Sequence, residues 1–138
     1  MTDLSLFFKE ACTEEEETIK YVPPERFKDL DGKPIEWTLK RVTTVRNREL
    51  VESCTTKNQK TGVAKFEEHK YTEKLVAECV IDPNLNDIAL QDNYGVRSAE
   101  DLAPRMLKYA GEWGKLVNKL NEFNGFKSLD DEVEEMGN

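Results

Sequence analysis

His69, the single histidine of the chain, and the three cysteines Cys12, Cys54 and Cys79 are the residue types that could carry metal or nucleophilic chemistry. A zinc site on His69 needs thiolates or further ligands at paired, tetrahedral spacing, and the sequence holds no Cys-x-x-Cys to supply them. A cysteine nucleophile needs the imidazole beside it and a third group to orient that imidazole. Neither a third residue nor an oxyanion motif is evident. Asn93-Tyr94-Gly95 is one glycine in a turn, and the G-x-x-x-x-G-K phosphate loop is absent. With 28 acidic residues among 138, no particular carboxylate pair stands out. The residue types therefore point away from an enzyme, a cofactor or a metal centre, and towards a protein that binds other proteins. His69 reads as a solvated or half-buried helix residue, and Cys54 and Cys79 as small, reduced core residues.

The charge pattern agrees. The formal net charge is −8, and the two ends supply all of it. Residues 1–22 carry Asp3, Glu10 and Glu14 to Glu17 against Lys9 and Lys20, a net of −4. Residues 127–138 carry Asp130, Asp131, Glu132, Glu134 and Glu135 against Lys127, again −4. Acidic ends keep a neutral body soluble, or dock on a basic or amphipathic partner. Phosphates would be repelled, and no basic patch interleaved with aromatics is present, so nucleic acid is not an expected partner. A membrane is not one either: the longest strongly apolar stretch, Leu75 to Ile81, is interrupted by Glu78 and falls far short of the ~20 residues of a spanning helix. The start, Met1-Thr2-Asp3-Leu4, lacks the basic region and apolar run of a secretory signal, which places the chain in the cytosol.

These features sit on a mixed set of elements. Leu4, Phe7, Phe8 and Ala11 fall at i, i+3, i+4 and i+7, the stripe of a short amphipathic helix. Residues 12–24, with the Glu14–Glu17 run and Pro23-Pro24, read as a linker. Ile35, Trp37 and Leu39 alternate with polar residues, predicting a strand. Arg26-Phe27-Lys28 is its partner across an Asp31-Gly32 turn. Helices are predicted over 43–56 and 66–80, with a loop or short hairpin between them and a loop-rich segment after Asp82-Pro83-Asn84. Ser98 and Asp101 open a helix that Pro104 shortens or kinks. Trp113, Leu116, Val117, Leu120 and Phe123 line the last helix, which ends at Gly125. The expected fold is a single α+β domain, mainly helical, with an N-terminal β-hairpin and flexible acidic termini. Its expected division is an acidic arm over 1–22, a globular body over 23–126 and an acidic tail over 127–138.

Three stretches carry a resemblance: Glu25 to Ile35 with the Trp37/Leu39 strand after it, Asp87-Ile88-Ala89-Leu90-Gln91-Asp92-Asn93-Tyr94-Gly95-Val96, and Glu112 to Phe126. In this order and spacing the chain resembles the XkdN-like tail assembly chaperones of tailed phages and of defective, PBSX-type prophages in Gram-positive bacteria. The resemblance implies a cytoplasmic chaperone that holds the tape measure protein during tail assembly and is absent from the finished virion. A structural minor tail protein retained in the particle is the alternative. The tape measure protein is the first expected partner, with the tail tube protein and self-association as further ones, and no cofactor is implied. An acidic, soluble carrier of a long helical client needs apolar surface for amphipathic helices. Leu4, Phe7 and Phe8 on the arm, and a face around Trp37, Leu90 and Tyr94, are the candidates. Core packing is the other reading of Trp37 and Tyr94.

Overall fold

A computed structural model of the chain describes residues 1–11, 17–23 and 27–126. Its centre is a strand whose sequence forces both faces under cover. In β2 (Trp37–Lys40) the side chains of Trp37, Thr38 and Leu39 are all buried. β1 (Thr18–Tyr21) pairs antiparallel on one side, with Ile19 opposite Leu39 and Tyr21 opposite Trp37. β5 (Val80–Asp82) pairs antiparallel on the other side, with Val80 opposite Leu39 and a register irregularity between Thr38 and Leu39. The sheet order is β1-β2-β5.

The helices then close over this sheet. Thr43 caps α1 (Thr44–Ser53) by accepting the Arg46 N–H at 3.1 Å. α2 (Glu68–Cys79) buries Leu75, Val76 and Cys79 and packs against α1, α4 and α5. Between α1 and α2 the chain forms a two-stranded ribbon, β3 (Thr55–Lys57) with β4 (Ala64–Phe66), every residue of which is exposed. Asp87 caps the short α3 (Ile88–Asn93) and Ser98 caps α4 (Ala99–Met106). α4 buries Leu102, Ala103 and Met106 and ends at Met106, two residues beyond Pro104, which has no N–H to give to the Glu100 carbonyl. In α5 (Ala110–Asn124), Leu116 and Leu120 are fully buried, and Gly125 at φ 77° ends the helix. The core joins Trp37 and Leu39 of the sheet to Leu50, Leu75, Val76, Leu102, Leu116 and Leu120 of the helices.

The fold is thus the expected α+β class, mainly helical, with a hairpin turn near its N-terminus. Two local readings change. The Asp31-Gly32 turn is present: Asp29 N–H donates to the Lys33 carbonyl at 2.8 Å, Ile35 N–H to the Phe27 carbonyl at 2.9 Å, and Gly32 has φ 81°. Among the described residues one bridge, Lys28 with Pro34, follows from it, and Pro34 has no N–H to give to a ladder. Trp37–Lys40 instead takes its partner from Thr18–Tyr21, inside the stretch read as a linker. Thr18-Ile19-Lys20-Tyr21 alternates polar with half-buried apolar residues, a period-two signal that the neighbouring Glu run and prolines obscured. The rest of that linker reading, residues 12–16 and Pro24, lies outside the described residues, as do Arg26 and the acidic tail from Lys127 onwards.

The second change is α3. It occupies part of the segment read as loop, and it explains the motif within it. Gln91, 9% exposed, donates from Nε2 to the Leu85 carbonyl at 2.8 Å, inside the protein. Gly95 at φ 72° turns the chain, and Val96 N–H returns to the Gln91 carbonyl at 3.0 Å, which buries the Val96 side chain. The Leu-Gln-Asp-Asn-Tyr-Gly-Val stretch is a folding device: a helix end, a left-handed turn and an anchor.

Candidate functional site

The arm begins as two 3-10 turns, Leu4–Phe7 and Lys9–Ala11, and not as one α-helix. Asp3 accepts the Ser5 N–H at 3.0 Å and the Ser5 hydroxyl at 2.8 Å, which tightens the first turn. The bond from the Ser5 N–H holds the Asp3 carboxyl below the usual carboxylate range. At three residues per turn Leu4 and Phe7 share a face. Leu4, Leu6, Phe7 and Phe8 are 71%, 64%, 68% and 59% exposed, the densest run of exposed apolar side chains among the described residues.

The arm is fastened at its base. The Arg41 guanidinium, just past β2, donates to the Glu17 carboxylate at 2.5 Å and to the Phe123 carbonyl at 3.0 Å. Beside it the Val42 N–H donates to Asn124 Oδ1 at 2.9 Å. The start of β1 and the end of α5 therefore meet at one corner.

Two concavities face solvent elsewhere on the body. A groove of about 190 Å³ lies between α2 and α5, walled by Phe66, Tyr71, Leu75, Val117 and Leu120, with Glu68 and Asn121 at its edge. Phe66 and Tyr71 pack as a tilted ring pair, centroids 5.5 Å apart, and the Tyr71 hydroxyl donates to Asn47 Oδ1. A wider cleft of about 1080 Å³ lies beside α4 and mixes Arg97, Arg105 and Lys108 with Glu73 and Asp101. Burial, then the charges of Asp101 and Glu100, raise the Glu73 carboxyl above its ordinary range.

Of the six residues proposed from sequence, Leu4, Phe7 and Phe8 stand together on the arm, and Tyr94, 36% exposed, lines the wider cleft. Leu90 is half-buried against the core. Trp37 is 1% exposed and packs with Phe27, ring centroids 6.1 Å apart, so it belongs to the core and not to a surface face with Leu90 and Tyr94. Sequence reading missed Phe66, Tyr71 and Val117 as the walls of a groove. Their helical spacing marks only a buried side, and the gap between two helices is not written in either one. Among the described residues no group of three or more metal-ligating side chains converges, and no helix is long and apolar enough to cross a membrane.

With this geometry in place, comparison with known proteins defines the class. The family model for phage XkdN-like tail assembly chaperone proteins matches residues 4–137, and the chain belongs to that family. Among individual proteins, it is 34% identical over 136 residues to the phage-like element PBSX protein XkdN of Bacillus subtilis (strain 168), covering 96% of this chain and 91% of that one. It is 30% identical over 137 residues to the protein YqbN of the same organism, covering 97% and 89%. A crystal structure of YqbN superposes with a TM-score of 0.78 at 26% identity, covering 92% of this chain and 99% of the other. Each of these matches covers more than nine tenths of this chain.

Proposed function

We propose that the protein acts in the host cytoplasm as a carrier of the tape measure protein during tail assembly, with the tail tube protein as a second partner, and that it leaves before the virion is complete. Membership of the tail assembly chaperone family supports a role in that process. The observation that carries the reading is the run Leu4, Leu6, Phe7 and Phe8, all more than half exposed on a segment of net charge −4. Monomeric surfaces rarely show such a concentration unless something covers it. Apolar side chains within an acidic segment suit a helical client, taking its apolar face while the acids keep the complex soluble. Binding is non-covalent and needs no cofactor. Residues 1–22 serve as the client-binding arm, with 18–21 stitched into the sheet, 23–126 as the body and 127–138 as a solubilising tail. Tyr94 and Leu90 form a secondary contact beside the wide cleft.

Co-expression with the tape measure protein, followed by pull-down and by blotting of purified particles, tests this. Co-purification together with absence from particles is expected, and removal of residues 1–11 weakens the capture about tenfold or more. Failure to bind, with the chain present in particles, would replace this reading with that of a structural minor tail protein.

A further inference from the structure

The arm and the α2/α5 groove answer one another in reach, size and charge. Reach comes first. Glu17, at the arm's base, is held by Arg41, whose guanidinium also bonds the Phe123 carbonyl. The groove wall residue Leu120 lies one helical turn earlier on α5, about 4.5 Å back along the axis. From Glu17 to Phe8 the chain can span about 30 Å when extended, so the groove of the same molecule is well within range.

Size agrees as well. The groove holds about 190 Å³ between Phe66, Tyr71 and Val117. A cavity of about 150 Å³ accepts a benzene ring, so this space takes one phenyl side chain and not a whole helix. Edge-to-face packing against the Phe66–Tyr71 pair would add to the apolar gain.

Charge supplies the direction. The β3–β4 ribbon that ends at Phe66 carries Lys57, Lys60 and Lys65 and no acid between residues 55 and 66. Residues 1–22 carry net −4. Opposite charges at the groove's approach draw the arm in, with Glu68 as the one acid in the lining.

We propose that the groove is a resting site for the chain's own arm: Phe8 seats between Phe66, Tyr71 and Val117 of the same molecule, with the arm's acids beside the lysines of the ribbon. The exposed arm described above is then the open state of a two-state equilibrium. A client that takes the arm draws on the open state alone, so docking lowers its apparent affinity. This concerns the chain by itself and holds or fails independently of the client's identity.

The test is paramagnetic relaxation in the full-length chain. A nitroxide is attached at Ser5→Cys in a Cys12→Ser background, the other two cysteines being buried. The amide signals of Tyr71 and Val117 should weaken about twofold or more relative to the reduced label, as expected when a docked minor or major state brings the label close. Both Phe8→Ser and the combined Lys57→Glu, Lys60→Glu, Lys65→Glu exchange should restore them. Mixing spin-labelled unenriched protein with unlabelled enriched protein should leave the signals unchanged. Undiminished signals in the labelled chain, or loss that survives Phe8→Ser, would overturn the proposal. Loss in the mixed sample would assign the contact to a second copy and overturn it too.

Discussion

The guanidinium carbon of Arg41 lies 4.6 Å from the centre of the Phe123 ring, while its Nε donates to the carbonyl of that same residue at 3.0 Å. One cation thus serves the face of an aromatic ring and the carbonyl end of α5, where the helix dipole favours positive charge. Half the Arg41 side chain is exposed, which weakens each contribution. Arg41→Ala should cost about 1 kcal/mol, a fall of roughly 3–6 °C in Tm. Arg41→Lys should recover only part of it, since an ammonium cannot stack and bond through a planar fork. Thermal unfolding of the three proteins checks this, and an unchanged Tm for Arg41→Ala would show the junction to be idle.

The glycines at 95 and 114 should respond in opposite senses to alanine. At either position an added methyl group would meet no atom within 4 Å, so space is not the issue. Gly95 has φ 72°, where a Cβ costs about 1–2 kcal/mol, and Gly95→Ala should destabilise by that amount. Gly114 lies inside α5 without a positive φ, and Gly114→Ala should stabilise by up to about 1 kcal/mol. Urea unfolding of both variants decides it. Shifts of the same sign would contradict the backbone account.

Gln91 anchors α3 by donating to the Leu85 carbonyl. Gln91→Leu keeps the bulk and removes the donor, leaving a buried carbonyl unpaired at a cost of about 1–3 kcal/mol. Hydrogen exchange should speed up across residues 85–96 before the rest of the body. Loss spread evenly over all helices would count against a local anchor.

Alkaline pH should unfold the protein early. Burial pushes the Cys79 thiol up to about 11. The unfolded chain releases that proton near pH ~8.5, so between the two values the folded form holds more protons and stability falls as pH rises. Burial raises Tyr71 as well, and burial followed by the charge of Glu112 raises Tyr21, both with the same sign. Stability should be flat from neutral pH to pH ~8.5 and decline above it, with a shallower decline in Cys79→Ala. Denaturant midpoints measured from neutral to alkaline pH check the slope. A rising limb would refute the burial of these groups.

Local signals in the sequence are legible where one segment decides its own conformation. Thr43, Ser98 and Gly125 mark helix ends that the structure keeps, and Asp31-Gly32 turns as its chemistry requires. Partnership was harder. The alternation of Trp37 and Leu39 announces a strand but not which strand lies beside it, and Thr18–Tyr21 and Val80–Asp82 come from far along the chain. Trp37 shows the same limit at the site, because an aromatic residue in a half-polar strand reads as contact or as core until its neighbours are known. Leu4, Phe7 and Phe8 were legible as an apolar cluster, since a terminal segment has few neighbours to hide it. The groove of Phe66, Tyr71 and Val117 was not, since it exists only between elements.

The exposed ribbon β3–β4 has a consequence for how the chain could be divided. Its loop, residues 58–63, is where an inserted label or a protease cut would be best tolerated. Yet the break would fall between β2 and β5, the two strands that complete the sheet, and between α1 and α2, which pack together. The cut would part Trp37, Leu39 and Leu50 from the other twelve buried residues of the core. The protein is therefore built as two interlocking parts joined by an exposed bridge, and the parts should recover the fold only in each other's presence.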